Sequence, residues 1–168
     1  MYQYRLEKLS KVFGRHQPAL NGIDLEVHRG EKVALIGPSG AGKTTLFRLL
    51  NCTLRPSTGR LWVNGDAVDN LYGRKLRETR RKIGTIYQQH NLVPRLKVIH
   101  NVLSGQLGRW SVWKSMLSLV RPSDIGLAHE ALKQVGIPEK IFIRTDKLSG
   151  GQQQRVAIAR VLVQDPEV

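Results

Sequence analysis

The sequence has little cysteine, no long apolar run and few acidic residues. Its single cysteine, Cys52, excludes a disulfide within the chain and fits a reducing compartment. No stretch approaches the roughly 20 apolar residues that a membrane-spanning helix requires. Residues 1–5 lack the start of a secretory signal peptide. These absences predict a cytoplasmic protein. A length of 168 residues is typical of a single domain and is large enough to bury a hydrophobic core.

Basic residues greatly outnumber acidic ones: 27 Lys and Arg against 13 Asp and Glu give a formal net charge of +14. The densest basic cluster, residues 74–82, has two interpretations. It is a patch for nucleic acid or lipid headgroups, or it is the solvated face of a helix that precedes a strand. We favour the second, because no aromatic side chains for base stacking lie between the basic residues.

Strand-like patterns predominate in the N-terminal part of the chain, and helix-like patterns predominate in the C-terminal part. Segments that predict strands are residues 4–13, 22–27, 31–36 and 83–87, the third of them apolar enough to be buried. Asn64 and Gly65 predict a tight turn after a further strand. From about Pro94 onward the apolar residues recur at helical spacing. At low detail, the sequence therefore predicts a mixed α/β N-terminal part and a helical C-terminal part.

An apolar segment over residues 110–120 contains Trp110 and Trp113 and is flanked by Arg109 and Arg121. Such a segment is either a surface that faces a partner or a membrane edge, or an ordinary packed helix. The sequence leaves both interpretations open, with a slight preference for helix packing.

Residues 37–44, GPSGAGKT, match the phosphate-loop pattern G-x-x-x-x-G-K-[ST]. Glycine has no Cβ, so backbone N–H groups converge on phosphate oxygens as an anion nest. The predicted strand before the loop and the predicted helix after it supply the setting that phosphate binding requires. The predicted nucleotide-binding residues of the loop are Gly37, Pro38, Ser39, Gly40, Ala41, Gly42, Lys43, Thr44 and Thr45.

Three of these side chains have predicted contacts of their own. We expect Lys43 to reach the β- and γ-phosphates, the Thr44 hydroxyl to bind Mg²⁺, and Thr45 to contact the α-phosphate.

A second motif is LSGGQQQR, residues 148–155. Ser149 and two glycines lead into a predicted helix over residues 152–163. A helix N-terminus capped by Ser, with free backbone N–H groups, is an anion site. By itself the pattern would also fit a helix cap without a ligand, but alongside GPSGAGKT it predicts one.

With these two motifs and a glutamine between them, at Gln88 in residues 87–89, the whole chain resembles the nucleotide-binding subunit of ABC transporters. The resemblance implies an α/β fold: a P-loop NTPase (ABC-type ATPase) core with an antiparallel β subdomain and an α-helical subdomain, incomplete at the C-terminus. It places the ATP-binding core in residues 1–89, the helical subdomain in 90–160 and a return toward the core in 161–168. Within the family, the chain is most like the ATPase of a phosphonate importer. The segments that carry this likeness are residues 87–93, 101–105 and 148–160 and the Trp-containing insertion.

The resemblance also implies roles for residues outside the phosphate loop. Phe13 stands where the family has an aromatic residue that stacks on adenine. Gln88 matches the glutamine that senses the γ-phosphate and Mg²⁺ and contacts the transport subunit, so Thr44 and Gln88 are the implied metal ligands. The signature residues, which would bind the γ-phosphate of ATP held by a second subunit, are Ser149, Gly150, Gly151 and Gln152.

The implied cofactors are therefore ATP and Mg²⁺, and the implied assembly is a homodimer or a pair with a second ATPase subunit that sandwiches two ATP molecules. Membrane permease subunits are the implied partners, with a substrate-binding protein acting indirectly and no nucleic acid. The implied location is peripheral, at the cytoplasmic face of the inner (plasma) membrane.

The family follows Asp-Pro with a strand that ends in the Walker B Asp and a catalytic Glu, and later has a switch His. This sequence stops at Val168, and Asp165 and Glu167 lie in the turn before the expected strand. No catalytic residue is therefore present. Because phosphoryl transfer depends on charge stabilisation around metal and water, we expect hydrolysis near background. We also expect the chain alone to be unstable or aggregation-prone, since an inner strand would lack its neighbour.

Three alternatives remain open. The chain is an ATP-binding remnant or regulatory module without transport activity, or it serves an importer of another substrate such as an amino acid. A soluble P-loop ATPase that acts on nucleic acid is suggested only by the basic charge, and the LSGGQ signature argues against it.

Overall fold

The structure, a computed structural model, describes residues 2–14, 17–120, 122 and 124–168. The chain divides into two compact units, residues 1–80 together with Val168, and residues 81–167. The boundaries expected from the sequence, at residues 89 and 160, stay predictions. No helix among the described residues is long and apolar enough to cross a membrane.

The first unit is built on an antiparallel sheet of four strands in the order β2-β1-β3-β4. The strands are β1 Tyr2–Lys11, β2 Leu20–His28, β3 Thr58–Val63 and β4 Asp66–Ala67. Leu6, Leu9 and Leu61 are fully buried, and the register of β1 against β2 shifts between Leu6 and Leu9, where Lys8 has a positive φ of 47°. The predicted strands over residues 4–13 and 22–27 are confirmed.

The tight turn predicted at Asn64 and Gly65 is also confirmed. It joins β3 to β4, and both residues have positive φ, 52° and 88°. Two residues with positive φ form the type I′ turn whose twist matches that of a β-hairpin.

The first unit also contains helix α1, Lys43–Leu50, and residues 73–80 of helix α2, Gly73–Lys82, whose last two residues belong to the second unit. Helix α1 buries Leu46 and Leu49, whereas α2 buries no residue. The basic cluster therefore lies on a solvated helix. Its Arg80 donates two hydrogen bonds to the Cys52 carbonyl oxygen, at 2.7 and 3.1 Å. Burial raises the pKa of the Cys52 thiol to about 11, and the charge of Arg80 opposes that shift.

Two strand predictions are wrong. Residues 31–36 form no strand, and Val33 and Ile36 are 48% and 94% exposed. Residues 83–87 form no strand either. Just before this segment, the Lys82 carbonyl accepts one backbone hydrogen bond from the Glu167 N–H at 2.8 Å, but a single hydrogen bond does not make a β-ladder. A strand persists when neighbours pair with its backbone along its length, and no described strand lies beside either segment. An apolar pattern alone could not reveal that.

The second unit is helical. Its four α-helices among the described residues are α3 Val98–Leu103, α4 Val112–Val120, α5 Ile125–Gln134 and α6 Gly150–Gln164, and short 3-10 helices lie at Ser104–Gln106, Pro138–Lys140 and Thr145–Lys147. Helices α3 and α5 pack on α6 around a core that includes Val98, Val102, Ala128, Leu132, Val156 and Ala159. The helical spacing predicted from Pro94 onward is thereby confirmed. Gly105 is required at the contact, since a Cβ there would lie 2.2 Å from the Arg160 carbonyl oxygen.

The apolar segment at residues 110–120 divides between the two interpretations. Trp110 packs against the core of the second unit, and the Lys114 ammonium lies 4.8 Å from its ring centroid. Trp113, Met116 and Leu117 are exposed on α4. Arg121, the basic residue that follows the segment, lies outside the described residues.

Asn101, on α3, fixes a loop to the core although its side chain is polar and only 2% exposed. Its Oδ1 accepts from the Val93 N–H at 2.8 Å, and its Nδ2 donates to the Val93 carbonyl at 3.0 Å and to the Thr145 hydroxyl at 2.9 Å. All three amide contacts pair buried or partly buried groups, and removing the side chain breaks all three. The Val93 carbonyl would keep the Leu96 N–H and the Thr145 hydroxyl would keep the Leu96 carbonyl, whereas the Val93 N–H would lose this partner.

We predict that Asn101→Ala lowers the free energy of unfolding by about 2–3 kcal/mol, because buried polar groups then lose their hydrogen bonds. Urea unfolding followed by circular dichroism measures this. The matched control is Asn70→Ala, at an exposed position whose amide donates to the carboxylate of the neighbouring Asp69. Equal effects of the two substitutions would contradict the assigned role of Asn101.

Candidate functional site

The glycine loop of residues 37–44 takes the backbone shape of an anion nest. Gly40 and Gly42 have φ of 84° and 83°, values that residues with a Cβ rarely adopt. Successive residues of opposite handedness turn their N–H groups toward one centre. The loop is exposed, and a single internal hydrogen bond, from the Ala41 N–H to the Pro38 carbonyl at 3.3 Å, joins its two sides among the described backbone contacts.

Gly42 is also fixed by a close approach to another part of the first unit. A Cβ at Gly42 would lie 2.5 Å from the Ala19 carbonyl oxygen and 2.8 Å from the Leu20 Cδ2. Leu20 is the first residue of β2, so the loop lies directly against the start of that strand. Gly40, by contrast, has open space where its Cβ would lie.

The Lys43 ammonium folds back over the loop that precedes it. Its Nζ donates to the Gly37 carbonyl at 2.6 Å and to the Pro38 carbonyl at 2.7 Å. The positive charge therefore lies at the loop itself, where the predicted phosphates would bind. An anion at this position would offer charged acceptors in place of two neutral carbonyls.

Helix α1 begins at the end of the loop with its first turn open to a ligand. Gly42 is its N-cap and supplies no side-chain hydrogen bond, and no acidic residue lies in the first turn. The helix dipole and the N–H groups at this end favour an anion. Thr44 is exposed and Thr45 half-buried in the same turn. The predicted helix start is confirmed.

The loop fits Mg²⁺ only as a companion of bound phosphate. Thr44 offers one hydroxyl oxygen, and no group of three or more His, Cys, Asp or Glu in the described part of the chain could hold a metal ion. Mg²⁺ keeps several waters and is bound in proteins by one or two side chains plus phosphate oxygens. The residues present are thus those of a metal–nucleotide site rather than of a site for a free ion.

Phe13 follows β1 and is 44% exposed, with the Lys11 ammonium 5.3 Å from its ring centroid. The chain after Phe13 returns to the sheet where the Ala19 N–H donates to the Lys11 carbonyl at 2.8 Å. Ala19 is the residue that meets Gly42, so the turn that carries Phe13 ends at the glycine loop. The stacking of this ring on adenine stays a prediction.

The signature residues form the N-terminus of α6, as the sequence predicted for a helix here. The Ser149 Oγ accepts from the Gln152 N–H at 3.3 Å, and the Gln152 Oε1 accepts from the Ser149 N–H at 3.1 Å. This reciprocal capping box fixes the start of the helix. Ser149, Gly150 and Gly151 are exposed, whereas the side-chain oxygen of Gln152, Oε1, is occupied by its hydrogen bond from the Ser149 N–H. Binding of a second subunit's ATP stays a prediction.

Gln88 is exposed in the turn that follows Tyr87 in the second unit. The structure places Phe13 and the glycine loop in the first unit, and Gln88 and the signature residues in the second. The contact of Gln88 with Mg²⁺ stays a prediction.

The two carboxylates near the end of the chain are engaged in ion pairs within the second unit. Glu167 lies 3.3 Å from the Lys82 ammonium, and Asp165 lies 4.0 Å from the Arg109 guanidinium. Asp165 also ends α6 with a φ of 52°. That neither residue substitutes for a catalytic carboxylate stays a prediction.

The structure also identifies residues that the sequence motifs did not. Arg160 and Asn101 hold the loop that follows Gln88 through hydrogen bonds to its backbone carbonyls and N–H groups. A polar residue among apolar neighbours on each helix was the available signal, but the pattern does not tell which backbone groups it meets.

A comparison with family models matches residues 20–168 to the ABC transporter family. The chain belongs to this family. Two curated relatives are named phosphonates import ATP-binding protein PhnC. The one from Thiobacillus denitrificans is 47% identical over 97% of this chain and 62% of its own length. The one from Wolinella succinogenes is 44% identical over 98% of this chain and 60% of its own length. The chain therefore spans about three fifths of the length of these relatives.

Solved structures show the same fold. MJ0796, described as a bacterial ABC transporter cassette and solved as a dimer, superposes with a TM-score of 0.80 at 32% identity, covering 97% of this chain and 70% of that one. The cbiO1 protein from Clostridium perfringens, part of the cbiONQ transporter complex, gives 0.79 at 33% identity, covering 98% and 62%. The fold is thus that of an ABC-type ATPase, an α/β P-loop NTPase.

We predict that Gly42→Ala destabilises the first unit by roughly 2 kcal/mol more than Gly40→Ala. Both substitutions place a Cβ on left-handed backbone at a similar cost, but only at Gly42 would the Cβ meet the Ala19 and Leu20 atoms. Thermal and urea unfolding of the two variants measure the difference. Equal destabilisation would show that the close approach at Gly42 carries no energetic weight.

Proposed function

We propose that the chain is the ATP-binding part of an ABC importer subunit that couples ATP binding and hydrolysis to the transport of a small anion, phosphonate. The observation that carries the proposal is the glycine loop, an anion nest with Lys43 folded over it at the start of a helix. The names of relatives that are 44–47% identical over nearly the whole chain support the substrate.

The first step is capture of the triphosphate by backbone groups. The N–H groups of the loop and of the first turn of α1 donate to phosphate oxygens, and the helix dipole adds to the attraction. Lys43 exchanges its two carbonyl partners for the β- and γ-phosphates. Thr44 would hold Mg²⁺, which neutralises phosphate charge when bound, and Thr45 would contact the α-phosphate.

The adenine base needs an aromatic surface, and Phe13 offers one. Its ring is exposed, and its turn ends at Ala19 beside the glycine loop. Stacking buries a face of the ring that is otherwise in water, which favours binding without reading the edge of the base.

Transport requires a second ATPase subunit, and the exposed signature residues suit that role. Ser149, Gly150 and Gly151 present helix N–H groups to a γ-phosphate bound by the partner. MJ0796 provides the precedent, since it was also solved as a dimer in a post-hydrolysis state bound to ADP and Pi. ATP binding would close such a dimer, and hydrolysis would remove the bridging phosphate and reopen it.

The proposed assembly extends to the membrane. Gln88 would sense the γ-phosphate and Mg²⁺ on the side of the permease subunits, which in turn receive the anion from a substrate-binding protein. The subunit would then lie peripherally at the cytoplasmic face of the inner membrane.

We predict that Lys43→Met weakens ATP binding by about tenfold or more, because at least one charge-assisted hydrogen bond to phosphate is lost. Titration of the purified chain with a fluorescent ATP analogue measures this.

Lys75→Met is the matched control, since it removes the same charge from an exposed position on α2. Equal weakening in both variants would mean that binding follows net charge, and the proposal would then be wrong. Binding of ATP without effect on transport by the full importer would instead favour an ATP-binding regulatory module.

A further inference from the structure

The turn after Gln88 and Gln89 contains two consecutive residues with left-handed backbone. His90 has a φ of 58° and Asn91 a φ of 47°. Neither is glycine, so each carries a steric cost that persists only where surrounding contacts hold the backbone in place.

Arg160, on α6, supplies those contacts. Its Nη1 donates to the Asn91 carbonyl and its Nη2 to the His90 carbonyl, each at 2.8 Å. The planar guanidinium presents two parallel donors, a geometry that the single ammonium of lysine does not reproduce. Burial lowers the pKa of Arg160 while the nearby Tyr87 opposes that shift, and a guanidinium keeps its charge in either case.

The turn has room to rearrange. A cavity of about 180 Å³ lies beside it, lined among others by Asn91, His100 and Arg160. Within the described part of the chain, the buried Nδ1 atoms of His90 and His100 have no hydrogen-bond partner. The turn therefore has open space on one side, and the two Arg160 hydrogen bonds hold its His90 and Asn91 carbonyls in place.

Movement is confined to a short segment. Downstream of the turn, both backbone groups of Val93 are fixed by the buried Asn101. Upstream, Gln88 and Gln89 are exposed. The guanidinium of Arg160 therefore connects the His90 and Asn91 carbonyls of this segment directly to α6, the helix that begins with the signature residues.

We propose that Arg160 is a positioning residue that couples the signature helix to the Gln88 turn. With the guanidinium in place, a displacement of α6 moves the turn and Gln88 with it. Without the guanidinium, the turn relaxes and Gln88 no longer follows the helix. The coupling rests on the proposed function, in which Gln88 senses the γ-phosphate and Mg²⁺.

Hydrogen–deuterium exchange of the whole chain tests the positioning role. In Arg160→Gln we expect the amides of residues 88–92 to exchange about tenfold faster, because the charge-assisted hydrogen bonds that fix the turn are lost. Arg160→Lys keeps the charge and restores part of the protection. Arg155→Gln, at an exposed position of the same helix, is the control and leaves the turn unchanged.

Two results would overturn the role of Arg160. One is wild-type exchange at residues 88–92 in both Arg160 variants. The other is an equal rise over all helices of the second unit, which indicates general destabilisation. Should the Gln variant fail to fold, the Lys variant decides alone. Partial protection of the amides of residues 88–92 then supports the role of Arg160, and wild-type protection contradicts it.

A second readout separates this inference from the proposed function. In the wild-type chain, Mg-ATP should slow exchange at residues 37–45, at 88–92 and at the start of α6. In Arg160→Gln the slowing of exchange at residues 37–45 stays, and the slowing at the start of α6 disappears. Absence of any ATP effect in the wild type refutes the nucleotide function, whereas retention of all three effects in the variant refutes the coupling.

Discussion

The close approach of the Gly42 backbone to the Ala19 carbonyl is the contact on which the candidate site depends. It brings the glycine loop against the start of β2, and it leaves no space for a side chain. Ala19 also donates its N–H to the carbonyl of Lys11, two residues before Phe13. The glycine loop and an exposed aromatic ring are thereby both near the edge where β1 and β2 pair. The rest of the site follows from this placement, since α1 begins where the loop ends.

The second unit uses polar contacts differently. Its core is aliphatic, but the loops around α6 are held by amide and guanidinium groups that satisfy backbone carbonyls. Gln164 continues the pattern, since its Nε2 donates to the Arg81 and Ile83 carbonyls at 3.0 and 2.9 Å. Such contacts fix a loop at a few points and leave the segments between them able to move.

The sequence predicted what local chemistry decides. The glycine loop, the Asn64 and Gly65 turn, the alternating strands β1 and β2 and the capped helix α6 each depend on residues close together in the chain. Residues 31–36 and 83–87 were predicted as strands and are not, because a strand also requires a neighbour. Arg160 and Asn101 escaped prediction for a related reason: each contacts backbone groups of a distant turn or loop, which no spacing rule reveals.

The most direct test of the account is a nuclear magnetic resonance titration of the wild-type chain with Mg-ATP and, separately, with adenosine. The account predicts that Mg-ATP shifts the backbone amides of residues 40–45 most strongly, since phosphate oxygens bind there, and that adenosine barely affects them. Shifts confined to other parts of the chain, or equal shifts with adenosine, would contradict a phosphate-binding role for the glycine loop.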